Sequence, residues 1–281
     1  MSVEFVSASQ AADAVACDAP LRLVDTFPEG LDWLPTEETL TDDEVVRLVR
    51  VGVERLGIRQ VRFTGGEPLL RRGLEGIINE CSHLRTDEGK PLDLALTTNA
   101  LGLAKRAQGL KDAGLNRVNI SLDSLDPEHF AAITRRDRLA DVLEGIEAAA
   151  RAGLSPIKVN TLVLRGMNEA DLPDLVDYCL DLGIELRVIE QMPIGPADTW
   201  DRQNILTADE ILHIMGTRHT LTPAPREDPH SPAGRWIVDG DPTKMLGVIA
   251  SVSDPFCGAC DRTRLTSDGM VRSCLFSTEE T

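Results

Sequence analysis

Across residues 40–193 the chain alternates amphipathic helix with short apolar strand, without a break in the rhythm. This alternation constrains the fold more than any other feature, because strands joined through helices run parallel in one sheet. "LTDDEVVRLVRVGVERLG" opens with a capping box, Thr41 with Glu44, and a staple of Leu40 on Val45. Apolar residues then recur at Val45, Leu48, Val49, Val53 and Leu56, and Gly57 ends the helix. Strands are predicted at "IRQVRFT", "LDLALTT", "NRVNISLD", "PIKVNTLVL" and "IELRVIE". Between and around them the spacing predicts helices over 74–84, 103–113, 127–134, 139–152 and 171–182. Such a sheet is either open or closed into a barrel. Beyond Pro193 the text turns Gly- and Pro-rich, with one helix over 208–215. Strands at "GRWIVDG", "KMLGVIASV", "TRLTSDG" and "MVRSCLF" read as antiparallel, with a hairpin turn at Ser267-Asp268-Gly269.

The strands carry polar residues on one face. With a period of two, Arg62 and Thr64 share a face, as do Thr97 and Asn99, and Asn119, Ser121 and Asp123. Lys158 and Asn160 face away from Ile157, Val159 and Val163, while Glu190 and Met192 stand at the end of the fifth strand. A filled barrel interior is apolar, so polar inward faces imply a cavity, expected at the C-terminal strand ends. The plainer alternative for any single residue is a solvated edge or a helix cap. "TGGEP", residues 64–68, falls at the first such end. Its glycines admit a close ligand or simply turn the chain, and Glu67 can accept hydrogen bonds from an amine.

Three of the six cysteines, Cys257, Cys260 and Cys274, have the spacing C-x2-C-x13-C. Structural zinc wants a fourth ligand, and the motif holds no His. A disulfide across C-x2-C leaves Cys274 unexplained. An iron–sulfur cluster on three thiolates leaves one iron open to substrate or cofactor. Cys17, Cys81 and Cys179 are scattered, the last two on predicted helices as core residues, which suits a reducing cytoplasm. The N-terminus shows no basic region followed by an apolar run, and no segment approaches the ~18 apolar residues of a membrane span. A net charge of -17, from 29 basic and 46 acidic residues, disfavours nucleic acid and anionic membrane. A few convergent arginines in so acidic a chain suit a small phosphorylated ligand.

Taken together, "RFTGGEPLLR", "LTTNA", "NISLDSLDPEHFAAITRRD", "KVNTLVLRGMN", "IEQMPIG" and "FCGACDRTRLTSDGMVRSCLF" closely resemble the MoaA family. These are the radical S-adenosylmethionine (SAM) GTP 3',8-cyclases of molybdenum-cofactor biosynthesis. The resemblance runs from Leu31 to Thr281. It implies an α/β fold, an incomplete parallel β/α barrel of partial TIM type with a C-terminal α+β covering region. The expected division is a lead-in at 1–27, the barrel at 28–195 and a cluster- and GTP-binding region at 196–281. By resemblance, Cys257, Cys260 and Cys274 hold a [4Fe-4S] cluster whose open iron faces GTP. Arg62, Thr97, Lys158, Arg262, Thr263 and Arg264 match GTP contacts, and Gly66, Ser121 and Met192 match the SAM site. An electron donor and a cyclic pyranopterin monophosphate synthase are the implied partners, and a homodimer is compatible with the resemblance.

The family's defining C-x3-C-x2-C motif is not in this sequence. Its place would be between Phe27 and Pro28, in "LRLVDTFPEGLDWLP", together with the first barrel strand, an Arg contacting GTP and an aromatic residue at the SAM site. Cys17, single and upstream, is no substitute. The family's final helical segment and Gly-Gly tail are not expected after "CLFSTEET". The chain is therefore read as a GTP cyclase whose cluster loop is outside the sequence, or as a non-catalytic remnant holding one cluster and GTP. A zinc-binding β/α barrel of unrelated function is a third reading. Loss of the first strand is expected to leave the edge of "IRQVRFT" unpaired.

Overall fold

The alternating segments assemble into a single eleven-stranded sheet with helices packed on its outer face. The computed structural model describes residues 2–6, 39–193 and 204–274. The elements in chain order are β1 (Ser2–Val6), α1 (Asp42–Leu56), β2 (Gln60–Phe63), α2 (Leu74–Ser82), β3 (Asp93–Thr98), α3 (Leu103–Asp112) and β4 (Arg117–Ser121). There follow α4 (Pro127–Thr134), α5 (Leu139–Arg151), β5 (Ile157–Leu162), α6 (Leu172–Asp181), β6 (Glu185–Ile189) and α7 (Ala208–Met215). The C-terminal strands are β7 (Leu221–Pro223), β8 (Gly234–Val238), β9 (Asp241–Ile249), β10 (Arg262–Thr266) and β11 (Val271–Arg272).

Strand order is β11-β10-β1-β2-β3-β4-β5-β6-β9-β8-β7. The eight strands from β10 to β9 in that order are mutually parallel, and β11, β8 and β7 add antiparallel edges. Among the described residues the sheet does not close. This is the expected incomplete barrel, with one difference in its C-terminal strands. The sequence reading made them antiparallel throughout, whereas β9 pairs parallel with β6, and β10 pairs parallel with β1. The C-terminal region thus extends the barrel wall at both of its edges.

Local chemistry explains the elements. Thr41 Oγ1 accepts from the Glu44 N–H at 3.3 Å and Glu44 Oε2 accepts from the Thr41 N–H at 2.8 Å, so the capping box starts α1 as predicted. Gly57, at φ 68°, stops it in a left-handed turn that a side chain would strain. Val45, Val49 and Val53 are buried on one face. In β5 the buried residues Ile157, Val159 and Thr161 alternate with Lys158, Asn160 and Leu162, so the helices take the apolar face and the lumen takes Lys158 and Asn160. Cys81 and Cys179 are fully buried on α2 and α6, as core residues should be.

The edge of β2 is not bare. Residues 2–6 run parallel to it, Ser2 opposite Gln60 and Phe5 opposite Phe63, and their other edge pairs with β10, Ser2 opposite Arg262. The expectation of an unpaired edge fails because the N-terminal segment is short, extended and able to fill that slot. The Phe27–Pro28 junction and Cys17 lie outside the described residues. Deleting residues 2–6 should remove backbone hydrogen bonds on two sides, at roughly 1 kcal/mol net each. The expected result is a lower Tm, with faster amide exchange in β2 and β10 and unchanged exchange in β4 and β5. Unaltered protection of β2 would show that the strand contributes nothing.

Candidate functional site

Three buried carboxylates brace the C-terminal rim of the barrel. Glu67, after β2, accepts from Leu69 N at 3.0 Å, Thr98 Oγ1 at 2.6 Å and Asn99 N at 2.8 Å, tying the TGGEP turn to the end of β3. Asp123, after β4, accepts from Leu162 N at 2.7 Å at the end of β5. Glu190, after β6, accepts from Val252 N and Ser253 N, both at 2.8 Å, and from Ala208 N at 2.7 Å at the start of α7. Both oxygens of Glu67 therefore accept from this chain, which gives the residue a structural role beside the amine-acceptor one its type suggests. Burial pushes the Asp123 carboxyl up to about 6, with the Leu162 N–H opposing.

Beside Asp123, the Ser121 side chain lines a small cleft with Asn99, Phe130, Arg136 and Arg138. Its volume of ≈ 20 Å³ makes it a contact point rather than a site for a whole cofactor. Gly66 sits in the turn after β2 at φ 29°. Met192 follows β6 and is half-buried. These three stand at C-terminal strand ends, as the sequence reading places them.

A large cavity opens at the other end. It measures ≈ 1100 Å³ and is walled by the beginnings of β2 to β6, by residues 223–228 and 230–236, and by Asp254, Asp261 and Arg262. Arg59, Arg62, Arg117, Lys158, Arg187, Arg226, Arg235 and Arg262 line it, against Asp93, Glu185, Glu227, Asp228, Asp254 and Asp261. In a chain of net charge -17 this excess of cations is a local reversal. Polar residues line the lumen along its length, and among the described residues a wide opening lies at the N-terminal ends.

Within this cavity the charges are paired. Arg117 holds Asp93 through Nη2 at 2.7 Å and Nε at 3.0 Å. Glu185 takes Arg187 Nε at 2.6 Å, Arg235 Nη2 at 3.1 Å and Lys158 Nζ at 3.4 Å. Burial lowers the Lys158 ammonium to about 8; Arg187 and Arg117 push the same way and Glu185 opposes them. Thr97 Oγ1 and Asn160 Oδ1 are buried in the lumen without a hydrogen-bond partner. Buried polar atoms are nearly always paired, so these two are open to a water or a ligand.

Of the residues matched to GTP contacts, Arg62, Lys158 and Arg262 come together on the cavity wall. Arg264 lies two residues along β10 from Arg262 and is buried. Thr263 falls on the opposite face of β10 by strand alternation, and Thr97 contributes its partnerless hydroxyl deeper in the lumen. Sequence reasoning did not single out Arg117, Glu185, Arg187 and Arg235. Glu185 and Arg187 alternate with the buried Leu186 and Val188, a period-two signal that was available in "IELRVIE".

The cysteine motif borders the cavity. Cys257 opens a tight turn in which the Cys260 N–H donates to the Cys257 carbonyl at 3.2 Å, and Arg262 stacks 4.9 Å from the Phe256 ring centroid. Partial burial would raise the Cys260 thiol, but the Arg262 N–H and guanidinium, with Arg264, hold it below the usual thiol range. Cys257, Cys260 and Cys274 are all exposed. Among the described residues no group of three or more His, Cys, Asp or Glu is placed to hold a metal ion, so the structure does not bring the three thiols onto one point. The chemistry of the donor set nonetheless fits a thiolate-bound cluster, because adjacent cationic groups stabilise the thiolate form. Cys81 and Cys179 do not fit one. Burial pushes both thiols up to about 12.

Residues 17–179 match the Radical SAM superfamily, and residues 184–281 match the family Molybdenum Cofactor Synthesis C. The chain is 56% identical over 257 residues to the GTP 3',8-cyclase of Corynebacterium glutamicum, covering 90% of this chain and 68% of that protein. It is 54% identical over 263 residues to the GTP 3',8-cyclase of Streptomyces coelicolor, covering 93% and 76%. In fold it is similar to Streptococcus suis SuiB bound to S-adenosylmethionine, with a TM-score of 0.64 and 13% identity over 100% of this chain and 62% of that one.

The two classes of cysteine should separate by reactivity. At neutral pH, peptide mapping after a short iodoacetamide pulse should show Cys260 alkylated, and Cys81 and Cys179 unmodified until the protein is denatured. Arg262→Ala should slow labelling of Cys260. Equal labelling of all three cysteines would contradict the electrostatic assignment.

Proposed function

Because the chain belongs to the GTP 3',8-cyclase family of radical SAM proteins, we propose that it binds GTP in the cavity at the N-terminal ends of the barrel strands. Cys257, Cys260 and Cys274 would hold a [4Fe-4S] cluster beside that site. The observation that carries this reading is the cavity itself, where Arg62, Lys158 and Arg262 converge next to the cysteine turn. The barrel, 28–195, supplies Arg62, Thr97 and Lys158, and the C-terminal region, 196–281, supplies the cysteines with Arg262, Thr263 and Arg264.

Each residue has a distinct task. Arg62 and Arg262 offer planar forks to phosphate oxygens, and Lys158 offers a compact charge. Buried Arg264 reinforces the positive field behind Arg262. Thr97 Oγ1, partnerless in the lumen, is a donor or acceptor for the nucleoside end. Bound there by Cys257, Cys260 and Cys274, the cluster would supply a Lewis-acidic iron with an open coordination position. At the opposite rim, Gly66, Ser121 and Met192 would hold SAM.

The residues present do not fit a first, SAM-reducing cluster. The C-x3-C-x2-C thiolates are not in the sequence, and Cys81 and Cys179 are buried in helices. The chain as given is therefore proposed to bind GTP and one cluster without cleaving SAM. On the same reading it works in a reducing cytoplasm, with an electron donor and a cyclic pyranopterin monophosphate synthase as functional partners.

Anaerobic iron–sulfide reconstitution tests the cluster. Iron and sulfide analysis should give one [4Fe-4S] per chain, lost in Cys274→Ala; stoichiometric zinc without broad visible absorption would overturn it. GTP titration should show the Arg262/Arg264→Ala double variant weakened by about tenfold or more. Incubation with reductant, SAM and GTP should yield no 5'-deoxyadenosine unless a segment bearing C-x3-C-x2-C is inserted between Phe27 and Pro28. Its formation by the unaltered chain would refute the assignment of inactivity.

A further inference from the structure

We propose that Glu185 is a positioning residue whose carboxylate holds Lys158, Arg187 and Arg235 as one fan facing the cavity, set to grip the polyphosphate of a nucleoside triphosphate. The inference rests on the nucleotide reading of this cavity and adds a residue that acts through its neighbours.

The fan draws on three strands. Lys158 comes from β5, Arg187 from β6 and Arg235 from β8, and Glu185 stands at the start of β6 among them. Oε1 takes Arg187 and Lys158, and Oε2 takes Arg235. The Glu185 side chain is 10% exposed and those of Arg187 and Lys158 are 11% and 16% exposed, so these contacts are only weakly screened by water. A second carboxylate, Glu227, reaches Arg235 only at 3.9 Å and is 84% exposed. Glu185 is therefore the hub.

One carboxylate among three cations serves two purposes. It offsets the mutual repulsion that would splay the two largely buried cations and the partly exposed Arg235 apart, and it leaves positive charge over for an incoming anion. All four side chains line the cavity. Arg235 Nε is buried there without a partner. Opposite Arg187 on β9 stands Gly247, where a Cβ would lie 3.3 Å from Arg187 Cγ and 3.2 Å from Ala233 Cβ. The glycine keeps the path of the Arg187 side chain open.

The groups facing Lys158 are Glu185 and Arg187 from β6, Arg117 from β4 and Arg235 from β8 across the shared carboxylate. Glu185 is the acidic member of that set and opposes the loss of the ammonium proton. Without its charge, Lys158 deprotonates at lower pH. A carboxylate in a phosphate site could instead act as a competitor for the cations, and the two roles predict opposite results.

The test titrates GTP, GMP and inorganic tripolyphosphate into the full chain across a pH series. Wild-type affinity for GTP and tripolyphosphate should fall as pH rises through about 8. Glu185→Gln should weaken both by about tenfold or more, change GMP little, and move that fall to lower pH by about one unit. Glu185→Asp, which keeps the charge but withdraws the oxygens, should weaken binding with the fall left at the wild-type pH. Unchanged or tighter binding by Glu185→Gln would overturn the inference and make Glu185 a competitor. Tripolyphosphate binding without GTP binding would overturn the guanine reading and leave the fan supported; binding of neither would overturn both. Should Glu185→Gln fail to fold, Arg235→Gln at the rim should still weaken tripolyphosphate binding, and unaltered binding would again overturn the inference.

Discussion

The barrel depends on buried carboxylates accepting backbone N–H groups across strand ends. An open parallel sheet leaves the loops at its C-terminal rim with donors that no neighbouring strand satisfies. Glu67, Asp123 and Glu190 take those donors, each reaching from the end of one strand to the end of another. Burying a carboxylate is costly, and charge-assisted bonds to N–H groups offset that cost. Glu190 does most, joining β6, α7 and the turn that leads from β9 toward the cysteines. With the rim held this way, Thr97 and Asn160 in the lumen remain available for a ligand.

The two ends of the sheet use charge differently. At the C-terminal rim single carboxylates meet neutral amides, and the result is rigidity. At the N-terminal ends carboxylates meet guanidinium and ammonium groups in unequal numbers, and the result is a positive basin inside an acidic protein. A concave, low-dielectric basin of that kind focuses the field on an entering anion. Arg262 connects this basin to the cysteine turn, since the same residue lines the cavity and stabilises the Cys260 thiolate.

Much of this was legible in the residues. Alternating β/α periodicity gave the parallel sheet, because burial of one helix stripe and one strand face leaves a period that few other folds share. The helices Pro127–Thr134 and Ala208–Met215 begin and end where their Asp126 and Thr207 caps and apolar spacing place them. The inward faces of Arg62, Asn119 and Lys158 followed from alternation alone. What was not legible is long-range. Nothing local in residues 2–6 says that they seat between β2 and β10, and nothing in "KMLGVIASV" says that it pairs parallel to β6. Glu67 is instructive in the other sense, since its residue type suited a ligand amine and only its partners reveal a brace. The cation basin was half visible, with Arg62, Lys158 and Arg262 read from the text, but Arg235 needed the return of β8 beside Glu185.

The parallel pairing of β1 with β10 joins segments far apart in the sequence, Ser2 lying opposite Arg262. During synthesis β1 can dock on β2 as soon as that strand emerges, but its outer edge has no partner until residue 266 has been made. At roughly 5–20 residues per second this is an interval of about 10–40 s in which a parallel strand edge stays open. Such an edge is a template for a neighbouring nascent chain. A strand made late is therefore the one that retires the first strand's capacity to aggregate, so slower translation between β2 and β10 lengthens the time for which that edge needs chaperone cover.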